Sequence, residues 1–144
     1  MSMSVLCADA LIPSRFLTLI AHLTITVVIL SARDEVVTAS LPYDYEEDDN
    51  YQSRKSFEIL IGLSLAIGLL AIELTGFIFG LSMFMPAASV LSIGCHASAA
   101  IALSYALFDS WDSSLYWAVF ALCSVPPGLV EMINAVNILV LKRV

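Results

Sequence analysis

Charge is scarce in this 144-residue chain. Only 13% of its residues are Asp, Glu, Lys or Arg, against about a quarter in a soluble domain. The basic residues form no patch, which excludes nucleic acid as a partner because phosphate neutralisation needs one. Cysteine is equally sparse. Cys7, Cys95 and Cys123 give no spacing from which a disulfide framework would follow. There is no Asn-x-Ser/Thr sequon. Neither His-Glu-x-x-His nor Glu-x-x-His occurs, so no compact metal motif is present. Ser92, Ser98 and Ser104 belong to no arguable triad and read as packing residues. No catalytic residue, cofactor or resident metal is expected.

What the chain has instead is apolar length, with 60% hydrophobic residues. Four stretches, approximately 14–32, 57–81, 86–108 and 115–141, approach or exceed the ~20 residues a helix needs to cross a hydrocarbon layer of ~30 Å. The expected fold is all-α: a polytopic membrane protein built as a four-helix transmembrane bundle in a single domain, with no room for a soluble catalytic unit. Leu30-Ser31-Ala32 weakly resembles a signal cleavage site, but the apolar run before it is long and only Arg15 precedes it, so a retained helix is expected.

Pro13-Ser14 is expected to open the first helix, with Ser14 as N-cap. The connection 33–56 holds seven acids (Asp34, Glu35, Asp44, Glu46, Glu47, Asp48 and Asp49) and is expected to be solvated. Pro86 suits the first position of the third helix. Trp111, Tyr116 and Trp117 suggest an aromatic cluster at the membrane interface. Pro126-Pro127 remove two donors inside the fourth helix and predict a kink. An even number of spans puts both termini on one side. Arg15, Lys142 and Arg143 on that side balance Arg33, Arg54 and Lys55 on the other, so the positive-inside rule is tied.

Each stretch carries one ionisable residue near its middle: His22, Glu73, His96 and Glu131. Each lies on the smallest and most polar face of its helix. These faces are Ser14, Thr18, His22 and Thr26; then Gly62, Ala66, Leu69, Glu73, Gly76 and Gly80; then Ala88, Ser92, His96, Ala100 and Ser104; then Ser124, Gly128, Glu131, Ala135 and Ile138, with Asn134 beside them. Gly76 and Gly80 form a GxxxG match. Small residues let helix backbones approach in lipid, and an isolated charge at mid-depth costs about 3 kcal/mol. The four faces are therefore expected to meet inside one bundle, with a carboxylate–imidazole contact. The absence of a tight motif favours structural glue. The alternative is a small intramembrane proton or metal transporter using His22, Glu73, His96 and Glu131.

Four strings carry a resemblance. Pro13-Ser14-Arg15-Phe16-Leu17-Thr18-Leu19-Ile20-Ala21-His22-Leu23 resembles the opening helix of the transmembrane protein 107 family. Ala71-Ile72-Glu73-Leu74-Thr75-Gly76-Phe77 with Gly80-Leu81-Ser82-Met83-Phe84 is similar to its second span, and Ser92-Ile93-Gly94-Cys95-His96-Ala97-Ser98-Ala99 to its third. Tyr116-Trp117, Phe120, Cys123-Ser124, Pro126 and Glu131-Met132 match its fourth. The acidic connection 43–56 and Pro127-Gly128 depart from the pattern. The resemblance implies a non-enzymatic component of the ciliary transition zone, within the Meckel-syndrome module. Its implied partners are tectonic, B9-domain and other multi-span members, together with membrane lipid. It further implies a role in the membrane gate at the ciliary base, an influence on Hedgehog signalling in vertebrates, and cytosolic termini.

Overall fold

The computed structural model describes residues 3–41, 49–112 and 114–141. Its elements are α1 (Met3–Ser31), α2 (Arg33–Ala39), α3 (Asp49–Ile78), α4 (Pro86–Phe108), α5 (Ser114–Val119), a π-helical turn (Phe120–Ser124) and α6 (Val125–Leu139). No strand occurs among the described residues. Four helical segments are long and apolar enough to cross a membrane: Asp9–Ser31, Asn50–Ile78, Pro86–Phe108 and Ser114–Leu139. The last of these is α5, the π turn and α6 in sequence.

α1 begins at Met3, eleven residues before the expected Ser14 cap. Pro13 sits inside the helix, nearly three turns past its start, where it leaves the Asp9 carbonyl without its usual backbone donor. Ser14 Oγ does not cap; it turns back on the carbonyl of Ala10 at 2.7 Å, the usual habit of a mid-helix serine. At the other end of the bundle the described part of the connection includes a short helix, α2, that packs onto the spans. Val36 and Val37 of α2 are buried in a cluster with Ile29, Ile59, Leu63, Leu103, Ala106 and Tyr116. Two side-chain bonds fasten α2 to the start of α3: Ser56 Oγ to Asp34 Oδ1 at 2.7 Å and Gln52 Nε2 to Thr38 Oγ1 at 2.8 Å. The acids Asp44, Glu46, Glu47 and Asp48 lie outside the described residues.

α3 ends where Gly80 takes φ 78°, the left-handed conformation that glycine adopts without penalty. The Leu81 N–H then bonds the Gly76 carbonyl at 2.9 Å, closing the helix end. α4 starts with Pro86 at its first turn. At the head of α5, Asp112 Oδ1 accepts from the Ser114 N–H at 2.8 Å.

The expected kink in the last span is a π turn. Pro126 and Pro127 occupy the first turn of α6 and cannot donate to Leu122 and Cys123. The backbone widens by one residue ahead of them, so that the Val125 N–H reaches Phe120 O. A neighbouring helix serves one freed carbonyl: the Cys95 thiol of α4 donates to Leu122 O at 3.8 Å.

α1 packs chiefly against α4 and next against α3, while α6 packs against α3. Outward faces are apolar on every span, including Leu17, Leu65, Ile101 and Ile133. The interior combines the apolar cluster around Val37 with a polar centre made of Arg15, His22, Glu73, Ser92, His96 and Glu131. Tyr116 belongs to that interior: it is 6% exposed, where the sequence suggested an interfacial ring. Trp117 remains outside, edge-on to Phe120 with ring centroids 5.9 Å apart.

Candidate functional site: a buried ionic network

The polar centre is built around a residue that the sequence reading counted only among the basic residues on the side of the termini. Arg15 is 1% exposed, and all five of its N–H donors find acceptors. Nε donates to Ser92 Oγ at 3.1 Å. Nη1 donates to Ser82 Oγ at 2.9 Å and to Ser82 O at 3.3 Å. Nη2 reaches Glu73 Oε1 at 3.0 Å and Glu131 Oε2 at 3.1 Å. The guanidinium also lies 5.3 Å from the centroid of the Phe77 ring. Fork geometry with five fixed donors is what an arginine supplies and a lysine cannot.

The network continues past the carboxylates. Ser92 Oγ accepts from Arg15 and donates to Glu73 Oε1 at 2.5 Å. His96 Nε2 lies 2.8 Å from Glu73 Oε2. An ionised carboxylate only accepts, so Nε2 carries the proton. With a neutral ring, His96 Nδ1 is then an acceptor, and His22 Nδ1 donates to it across 2.8 Å. Beyond His22 lies a water-sized void of about 20 Å³ bordered also by Thr26, Tyr116 and Ser124. All of His22, Glu73, His96 and Glu131 are 1% exposed. They form one connected set drawn from α1, α3, α4 and α6, with the turn after α3 supplying Ser82.

The remaining candidates have separate fates. Gly76 is a packing residue in the strict sense: a Cβ added there would stand 2.0 Å from Glu131 Oε1. Gly80 is not; nothing lies within 4 Å of its added Cβ, and its φ marks it as a helix terminator. The GxxxG pair therefore does two unrelated jobs. Asn134 is half-buried, and its Nδ2 has no partner among the described residues. Several hydroxyls on the polar faces, including Thr18, Thr26 and Ser104, bond carbonyls of their own helix rather than a neighbour.

A signal for Arg15 was present in the sequence. Arg15, Leu19, His22, Thr26 and Ile29 recur at alternating four- and three-residue steps, the spacing of a buried helix seam, and all five are buried. A strict four-residue stripe through Ser14 and Thr18 drifts off that seam toward lipid. Counting Arg15 as a surface charge then hid it.

Such a site defines a class: a four-span helical membrane protein whose core is an ionic network linking every span. Comparison with known proteins narrows this. The family model TMEM107, described as a transmembrane protein, matches residues 11–135. Transmembrane protein 107 of Homo sapiens is 39% identical over 135 residues, covering 94% of this chain and 95% of its own length. Its counterpart in Xenopus laevis is 43% identical with the same coverage, and that in Danio rerio 39% identical over 123 residues, covering 85% and 90%. No solved structure shows a significant match. The chain belongs to the transmembrane protein 107 family.

Proposed function

We propose that this chain is a non-enzymatic structural component of the ciliary transition-zone membrane, with both termini cytosolic, supporting cilium assembly and the gate at the ciliary base. Its partners in this reading are multi-span, tectonic and B9-domain members of the Meckel-syndrome module. The setting is what the resemblance to the family implies. The observation that carries the structural role is the ionic network: Arg15, Glu73, His96 and Glu131 bond one another across four helices, so their chemistry is used in fixing the bundle. The test is location. A tagged chain in ciliated cells should concentrate at the ciliary base; uniform plasma-membrane signal would overturn the reading.

Proton transport keeps one supporting observation, the chain His22–His96–Glu73. Against it, the fixed Arg15 cation stands at the Glu73 end of that chain and opposes passage of positive charge. For the metal version, no group of three or more His, Cys, Asp or Glu is arranged to hold an ion among the described residues. Reconstituted protein tested for proton and metal flux decides: the scaffold reading expects none, and flux abolished by Glu73→Gln would reverse the order.

A further inference from the structure

One acceptor in the network has no donor. Glu131 Oε1 is buried and has no hydrogen-bond partner among the described residues. It borders an open groove of about 670 Å³ between α3 and α6, lined by Ala71, Thr75, Gly76, Phe79, Ala135 and Leu139 among others. We infer that this groove is an intramembrane docking site for a transmembrane helix of a partner protein, one whose small-residue face carries a hydrogen-bond-donating side chain that reaches Glu131 Oε1.

Depth selects the occupant. Arg15 lies five residues from the middle of Asp9–Ser31, Ser92 five from the middle of Pro86–Phe108, and Glu131 about five from the middle of Ser114–Leu139. At about 1.5 Å per residue each of the three stands about 7 Å from the middle of its own span, on the side where the chain begins and ends. The hydrocarbon extends about 15 Å from the midplane. Hydroxyl and amide donors of lipids and sterols sit at or beyond that boundary, about 8 Å too far out. A helix can present a donor at any depth. The groove walls suit one as well, because Ala71, Gly76 and Ala135 allow a backbone to approach closely. The hydrogen bonds point the same way: the contacts of Arg15 end on Ser92, Ser82, Glu73 Oε1 and Glu131 Oε2, so none is left for Glu131 Oε1. An unsatisfied oxygen is costly in hydrocarbon and is relieved by a donor that arrives with its own shelter.

This inference names the contact surface of the proposed scaffold, and its test is independent of cellular location. Full-length protein, labelled at its N-terminus, is reconstituted in phosphatidylcholine vesicles with synthetic Leu/Ala helices of ~20 residues. One helix carries a single Asn placed to match the depth of Glu131; the control carries Leu there. Energy transfer should report tighter association of the Asn helix by about three- to thirtyfold, the range of a single interhelical hydrogen bond in membranes. Ala135→Trp and Thr75→Trp each fill the groove without replacing a residue of the ionic network, and either folded variant should lose the preference. Equal binding of the two helices overturns the proposal. So does an Asn preference that survives groove filling, or displacement of the Asn helix by cholesterol or ceramide added to the vesicles, which would assign the groove to lipid.

Discussion

Arg15→Met separates the two descriptions of this residue. As a headgroup anchor, Arg15 would be dispensable and interchangeable with Lys. In the structure it is the sole cation between Glu73 Oε1 at 3.0 Å and Glu131 Oε2 at 3.1 Å, and it also donates to Ser82 and Ser92. Methionine keeps most of the apolar stem but leaves two carboxylates facing each other in a medium that solvates neither. Removing one partner from a buried ion pair costs about 3–5 kcal/mol. Total stabilities of domains are about 5–15 kcal/mol, so the loss is severe. Arg15→Lys keeps the charge but offers three donors for five acceptors, and should cost about 1–3 kcal/mol. The decisive variant is Arg15→Met with Glu73→Gln and Glu131→Gln together. Replacing a whole buried ionic set by neutral groups is often close to neutral, so the triple variant should recover most of what the single one loses. Unfolding in mixed micelles titrated with sodium dodecyl sulfate, followed by circular dichroism, measures all three. A single variant as stable as wild type, or a triple variant no better than the single, would refute the account of Arg15 as the hub.

The glycines give a second set of expectations. Gly76→Ala puts a methyl 2.0 Å from Glu131 Oε1 and should destabilise by about 1–3 kcal/mol, whereas Gly68→Ala, with nothing within 4 Å, should be neutral or stabilising by up to about 1 kcal/mol; thermal melting in detergent compares them. Gly80→Ala meets no neighbour but must hold φ 78°, which costs about 1–2 kcal/mol in the same assay. For the imidazoles, His22→Ala and His96→Ala should be non-additive by about 0.5–3 kcal/mol in a double-mutant cycle, because each loses the same 2.8 Å contact; strict additivity would mean the rings do not bond.

The spans and the inward turn of the polar faces were legible because hydrophobic length and helical spacing are local properties of a chain. His22, Glu73, His96 and Glu131 each announced themselves as ionisable residues inside long apolar runs. Arg15 did not, because it stands where a run begins and where arginines ordinarily meet headgroups. Only tertiary contact distinguishes the two cases: the turn after α3 folds inward to present Ser82, itself buried. The π turn was half legible. Two prolines require a break in the ladder, but whether the backbone bends, tightens or widens depends on neighbours such as Cys95, whose thiol meets the Leu122 carbonyl. Burial of α2 was concealed by composition, since Val36 and Val37 follow Asp34 and Glu35 in a connection dominated by acids.

Why a membrane protein should hold its charges at its centre follows from its solvent. Apolar side chains gain little by leaving lipid for one another, so hydrophobic burial of Leu and Val faces does not choose among helix registers. Directional bonds do. The five donors of Arg15 end on Ser82, Ser92, Glu73 and Glu131, which lie on the turn after α3, on α4, on α3 and on α6. A slip of any span by one turn, about 5.4 Å, breaks at least one of these contacts and strands a charge in hydrocarbon. The network therefore selects one arrangement of four otherwise greasy rods. That same logic applies to an acceptor left over at the groove. In the proposed docking, an oxygen to which none of the described residues donates selects the next helix to join as strictly as Arg15 selects the four already present.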